Sequence, residues 1–214
     1  MNASAANAGG TGQRRRLPVH WSLVIATVAV LAAIVLLRKA EPGYEQKIAP
    51  IPVQGDVGVR VVARNFAVTV KRVKLARGYQ VAPGLFETAP RILKPDGIWM
   101  SALMEVEALS APGTINAQLR TRDGLLYVAS GPDRPDIDEF NLSQKQLATA
   151  LPASGAYFFD VPPDRLEGAR LQFHWGAVGG YPEGMDHLVD IDLGLDAAAA
   201  RKLQAEAQPV IDLR

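Results

Sequence analysis

The run "VHWSLVIATVAVLAAIVLL", Val19 to Leu37, sets the first limit on this chain: 19 residues carry no formal charge when His20 is neutral. At about 1.5 Å per residue, a helix of that length spans roughly 28 Å, close to the ~30 Å hydrocarbon core of a bilayer. A helix buried in a soluble core is seldom apolar without interruption, so residues 17–39 read as a transmembrane helix. The run exceeds the ~7–15 apolar residues of a cleavable signal. The following "RKAEP" sets Arg38 where a cut after Ala40 needs a small residue, and no cysteine is present to carry a lipid. The pattern predicts a retained signal-anchor.

Arg14, Arg15 and Arg16 precede the span, against Arg38 and Lys39 after it. The compact triplet favours an N-terminus on the cytoplasmic side. Residues 1–16, opening on the small and polar "MNASAANAGGTGQ", then form a disordered cytoplasmic tail. The remainder is extracytoplasmic. The net charge of +1 conceals an asymmetry, because the first 40 residues hold five basic side chains and no acid. Beyond them stand 18 Lys and Arg against 22 Asp and Glu, a balance of −4. A nucleic-acid-binding domain would be strongly basic, so that class is excluded. Without cysteine there is neither a disulfide framework nor a thiolate metal site.

Residues 40–55, with three prolines, read as a stalk. From 56 to 195 the periodicity is that of strands. In "VGVRVVARNFAVTVKRVKL", Val57, Val59 and Val61 share one face and Phe66, Val68 and Val70 another aligned set. The phase slips near Arg72, which predicts a β-bulge or a strand break. A turn-rich loop ending at Asp96-Gly97 leads into "IWMSALMEVEAL", where Ile98, Met100, Ala102, Met104 and Val106 alternate with Trp99, Ser101, Leu103, Glu105 and Glu107. That is a half-buried strand. "TINAQLRTRDGLLYVAS" carries Asp-Gly between alternating segments and predicts a hairpin with positive φ at both turn positions. A polar loop follows, with one helical turn near Ser143 to Ala148. In "AYFFDVPPDRLEGARLQFHW", Tyr157, Phe159 and Val161 share a face, as do Leu171, Phe173 and Trp175. Pro162-Pro163 supplies no ladder donors and ends the first strand. "HLVDIDLGL" turns Val189, Ile191, Leu193 and Leu195 inward, and Asp196 caps a short helix within the tail 196–214. Six or more short strands separated by turns predict a mainly β antiparallel sandwich.

The segments "NFAVTVKRVKLA", "GIWMSALMEVEAL", "LRTRDGLLYVAS" and "FFDVPPDRLEGARLQF" resemble the immunoglobulin-like extracytoplasmic domain of bacterial lipoproteins and membrane-anchored proteins, described as similar to telomeric-repeat-binding factor 2. The resemblance covers roughly residues 55–195. It implies an immunoglobulin-like sandwich at the cell surface, and it transfers no catalytic residue because the family has no assigned activity. The chain departs from it in having a span where the lipidated cysteine would be, and in its C-terminal helix.

No phosphate-binding glycine motif, nucleophile elbow or paired-histidine zinc motif occurs. No catalytic residue, cofactor or metal site is therefore expected, and the protein reads as a non-enzyme. His174 falls on an exposed strand position, and His187 beside Asp186 reads as a solvated strand start rather than an acid–base or metal pair. Asp133, Asp136, Asp138 and Glu139 offer oxygen ligands of the kind calcium takes, without the glycine and spacing of an EF-hand; a solvated loop is the expectation. Glu183, Asp186, Asp190, Asp192 and Asp196 form a second acidic group, read as a solvated face. The candidate binding site is the basic run Arg60, Arg64, Lys71, Arg72, Lys74 and Arg77, where Asp56 is the one acid in residues 56–80. It would meet anionic lipid headgroups or acidic wall polymers, unless it pairs with the acidic C-terminal strand. The first functional expectation is an anchored binding or scaffolding module of a bacterial envelope, its partner an envelope protein or an acidic surface polymer. The alternative is an accessory subunit of a membrane transport or secretion complex.

Overall fold

The computed structural model describes residues 21–40, 49–83, 89–131, 134–135, 140–176 and 186–212. The chain divides into two compact units, one within residues 1–47 and one within 48–214. In the first, α1 runs from Trp21 to Ala40. Every side chain from Trp21 to Lys39 is exposed, so the apolar surface faces outward on all sides. Within the apolar stretch the Thr27 hydroxyl is satisfied internally, since its Oγ1 donates to the Leu23 carbonyl at 2.9 Å. The stretch is long and apolar enough to cross a membrane.

The second unit is a β-sandwich. One sheet has the order β1 (Ile51–Asp56), β11 (His187–Asp192), β10 (Arg170–Gly176), β7 (Thr114–Arg120), β8 (Leu126–Val128). The other has the order β2 (Arg60–Val62), β3 (Phe66–Ala76), β6 (Ile98–Ala108), β9 (Ala153–Val161). Within these two sheets all pairings are antiparallel except β1 with β11. The chain crosses between sheets from β6 to β7, from β8 to β9 and from β9 to β10, the Greek-key path of an immunoglobulin-like sandwich. A third, small sheet joins β4 (Tyr79–Val81), β5 (Arg91–Leu93) and β12 (Ile211–Asp212). The helix α2 (Ala197–Ala205) starts where Asp196 Oδ1 accepts the N–H groups of Ala198 and Ala199 at 2.9 and 2.7 Å.

The inward positions read from alternation are the core. Phe66, Val68, Val70, Met100, Met104, Tyr157, Phe159, Leu171, Phe173, Val189 and Ile191 are all at most 2 % exposed and belong to one cluster. The rings of Tyr157 and Phe173 meet across the sheets at 5.9 Å between centroids. The Tyr157 hydroxyl donates to the Ile115 carbonyl at 2.6 Å, a hydrogen bond from one sheet to the other. Pro162-Pro163 ends β9 and passes through a 3-10 turn at Pro163–Arg165, so the two proline-separated strands face each other rather than pair.

Several expectations are corrected here. The last part of the expected stalk is β1, because alternate side chains from Val53 onward are half-buried beside β11; residues 41–48 lie outside the described ones. Val57 to Val59 form a turn instead of a strand, with Gly58 at φ 85° and Val59 54 % exposed. The phase slip is a bulge: Val70 pairs with Met104 and Arg72 with Leu103, leaving Lys71 extra. The hairpin loop is three residues, Arg122 to Gly124, closed by Gly124 N–H to the Thr121 carbonyl at 2.9 Å, and only Gly124 has positive φ, 87°. A type I turn ending in a left-handed glycine accounts for it. The half-buried strand β6 is buried on both faces in its first half. Trp99 and Ser101 are covered by a second cluster that includes Tyr79 and Phe158.

Phe173→Ala is expected to cost about 3–5 kcal/mol through lost transfer energy and a cavity. Asp164→Ala, at an exposed turn residue, should stay within about 0.5 kcal/mol. Denaturant melts of the two variants test the inward face; a Phe173 variant as stable as the parent would mean that face is wrongly assigned.

Burial raises the pKa of the Tyr157 phenol. A raised phenol contributes its stability in full below the unfolded value of about 10, and loses it as pH climbs beyond, by about 1.4 kcal/mol per pH unit. Tyr157→Phe should therefore flatten the alkaline fall of stability above about pH 10, while losing about 1 kcal/mol at neutral pH with the hydroxyl bond. Melting temperature measured against pH reads both effects.

Candidate functional site

The expected basic site lies on the outer face of the four-stranded sheet. The bulge at Lys71 lets consecutive cations, Lys71 and Arg72, both remain exposed. Arg60 Nη2 contacts Glu107 Oε2 at 2.8 Å, and Lys71 Nζ approaches Glu105 Oε2 at 3.3 Å. Arg64, Arg72 and Arg77 are exposed and Lys74 is half-buried. Among the described residues, the pairing alternative is realised for two of the six cations, and by β6 instead of the acidic C-terminal strand.

That acidic strand has its own partners, which corrects the reading of a solvated face. Asp190 is 8 % exposed. Arg170 Nε donates to Asp190 Oδ1 at 2.9 Å and its Nη1 to Asp192 Oδ2 at 2.7 Å, while Arg120 Nη2 reaches Asp190 Oδ2 at 3.4 Å. Burial by itself would lower the Arg170 pKa, but the hydrogen bonds and charges of Asp190 and Asp192 outweigh it and hold it raised. Gln118 Nε2 donates to Gln172 Oε1 at 3.0 Å, extending a polar ladder over the outer face of the five-stranded sheet. His174, on the same side of β10 as Gln172, is 7 % exposed, so the expected exposed histidine is buried.

Asp186 is structural. Its Oδ2 accepts from Asn65 Nδ2 at 2.7 Å, and its Oδ1 accepts the His187 N–H at 2.7 Å. The His187 ring nitrogen Nδ1 stands 3.6 Å from that same oxygen, too far for a hydrogen bond. Among the described residues no group of three or more His, Cys, Asp or Glu is arranged to hold a metal ion. Asp133, Asp136, Asp138, Glu139 and Glu183 lie outside the described residues.

One feature is absent from the sequence reading. An open cleft of about 740 Å³ lies where β5 and the loop after it approach the start of β6 and the end of β9. Trp99 stands at its base, 1 % exposed, its Nε1 donating to the Leu93 carbonyl at 3.2 Å. The Arg134 guanidinium lies over the Trp99 ring, 5.4 Å from the centroid. Arg91 and Lys94 line the same cleft, with Asp96, Asp160 and Tyr127. Asp160 is engaged: its two carboxylate oxygens accept the N–H groups of Asp96 and Gly97 at 2.9 and 3.0 Å. The available signal was Trp99 itself, a large aromatic on the outward parity of a strand. Reading the preceding segment as loop removed the strands that cover it.

No family model and no curated protein matches the chain. Three solved structures are similar in fold. An uncharacterised β-sandwich protein from Clostridium difficile shares 8 % identity over 71 % of this chain and 99 % of its own, with a TM-score of 0.41. The yjhA protein from Bacillus subtilis shares 13 % over 64 % of this chain and 99 % of its own, at 0.42. A secreted protein from Mycobacterium tuberculosis, MPT63, shares 19 % over 66 % of this chain and 97 % of its own, at 0.40.

The Asp190 node and the Glu107 pair give a contrast. Asp190→Ala leaves a half-buried Arg170 with its main partner gone and should cost about 1–3 kcal/mol. Glu107→Ala removes an exposed pair and should cost under about 1 kcal/mol. Equal losses in urea melts would mean that the ladder on the five-stranded sheet is solvated after all.

Proposed function

We propose that the protein is a single-pass, membrane-anchored extracytoplasmic binding or scaffolding module of a bacterial envelope, non-catalytic, with its N-terminus in the cytoplasm. The observation that carries this reading is α1, apolar and exposed on every face for the 19 residues from Trp21 to Lys39. A helix that is hydrophobic all round belongs either to a protein core or to a membrane, and the described side chains of this one are exposed. The sandwich that follows has a closed core of its own, as a module displayed on an anchor requires. The motif resemblance supports membership of the immunoglobulin-like extracytoplasmic domains. Arg64, Arg72, Lys74 and Arg77, with no ion-pair partner among the described residues, supply the cationic surface for an acidic envelope polymer or anionic headgroups.

The chain has no native cysteine, so single introduced thiols report topology directly. Full-length protein should stay in the membrane after alkaline carbonate washing. Ser130→Cys should react with an impermeant maleimide in intact cells, and Ser4→Cys only after lysis. Release by carbonate, or the opposite labelling, would overturn the reading. Stoichiometric membrane partners that persist when the sandwich is deleted would favour the accessory-subunit alternative.

A further inference from the structure

We propose that the cleft at Trp99 binds a small organic oxyanion, a carboxylate or phosphate borne on a body of about sugar size. The inference names a site and a ligand class for the binding module and rests on that reading. Its volume of about 740 Å³ falls within the ~300–1,000 Å³ of small-molecule sites. Among the described residues that line it, the cations Arg91, Lys94 and Arg134 outnumber the acids Asp96 and Asp160 by one, which suits a monoanion. Asp160 is the less available of the two acids, because its oxygens already accept two backbone N–H groups.

Arg134 is the residue on which recognition turns. Its guanidinium carbon lies over the Trp99 ring, 5.4 Å from the centroid, a cation–π contact that holds the charge at the cleft before any ligand arrives. One terminal nitrogen makes only a weak bond, to the Val128 carbonyl at 3.4 Å, and the residue lines the cleft. A planar guanidinium whose terminal donor is only weakly engaged is a group that carboxylates and phosphates bind in bidentate fashion. A bare ion would leave much of the cleft unfilled. Leu93, Tyr127, Pro162 and Pro163 supply the apolar wall that a ring-bearing ligand would cover.

The test is calorimetric titration of the full-length protein in non-ionic detergent with glucuronate, glucose 6-phosphate and neutral glucose. At least one charged sugar should bind saturably below about 10 mM, with glucose at least about tenfold weaker. Glucuronate alone would assign a carboxylate, the phosphate ester alone a phosphate. Arg134→Gln and Lys94→Gln should each weaken binding by about tenfold or more, and Arg134→Lys, which keeps charge but not the fork, should rescue only part. Arg201→Gln, at an exposed position of α2, should leave it unchanged. No saturable binding of either charged sugar, equal binding of glucose, or affinity indifferent to both Arg134→Gln and Lys94→Gln would overturn the proposal. Failure with carbonate-resistant anchoring intact would remove this ligand and leave the anchored module standing.

Discussion

The sandwich depends on β6 being buried on both of its faces. Its inward side chains, Met100, Ala102, Met104 and Val106, meet the five-stranded sheet's core. Its outward Trp99 and Ser101 lie beneath the small sheet, with Tyr79 set edge-on to Phe158 at 5.2 Å. Each large apolar side chain fully buried contributes about 1.5–3 kcal/mol, so a strand that buries two faces anchors more of the fold than an edge strand does. The entry to this strand is correspondingly tight. A Cβ on Gly97 would come within 2.4 Å of the Val161 carbonyl oxygen, so only glycine permits that approach. Asp160 completes the junction by accepting the N–H groups of Asp96 and Gly97. The cleft is a by-product of that junction, since Gly97, Trp99 and Asp160 all line it.

Alternation was legible wherever one sheet face met the core and the other met polar surroundings. Tyr157, Phe159, Leu171, Phe173, Val189 and Ile191 were readable for that reason, and so was the bulge, because one extra residue in β3 inverts the parity of Val73 and Leu75. The Asp196 cap was readable from the local chemistry of Asp before an alanine run. What escaped was decided by distant partners. Tyr79–Val81 and Arg91–Leu93 are three-residue strands, too short to show a period, and β12 exists by pairing two residues with β4. The three prolines of residues 40–55 suggested a stalk, and one of them, Pro52, lies in β1. Pro52 is tolerated because β1 is an edge strand, where a missing ladder donor costs least.

The candidate site was less legible than the fold, for an electrostatic reason. Charge runs in sequence give the sign of a patch but not the partner opposite it. Arg60 and Lys71 find Glu107 and Glu105 on the neighbouring strand. Asp190 and Asp192 find Arg170, 20 and 22 residues before them in the chain. The cations and acids that appear complementary in the sequence, the run after Asp56 and the C-terminal strand, lie on different sheets and do not meet in this way. Arg134 gave no signal at all: its importance comes from standing over Trp99, and no periodicity records that.

The disposition of carboxylates bears on what such a surface can do. A general acid or base needs a carboxyl group free to exchange its proton with a substrate. Asp160, Asp186 and Asp196 accept backbone N–H groups, and Asp190 and Asp192 hold Arg170. Asp123 is occupied too, its pKa lowered chiefly by the hydrogen bond from the Thr121 hydroxyl. Among the described residues, these acids fix the geometry of turns, caps and cross-strand ladders. Arg134 differs from these acids in that its guanidinium sits over an aromatic ring, 5.4 Å from the Trp99 centroid.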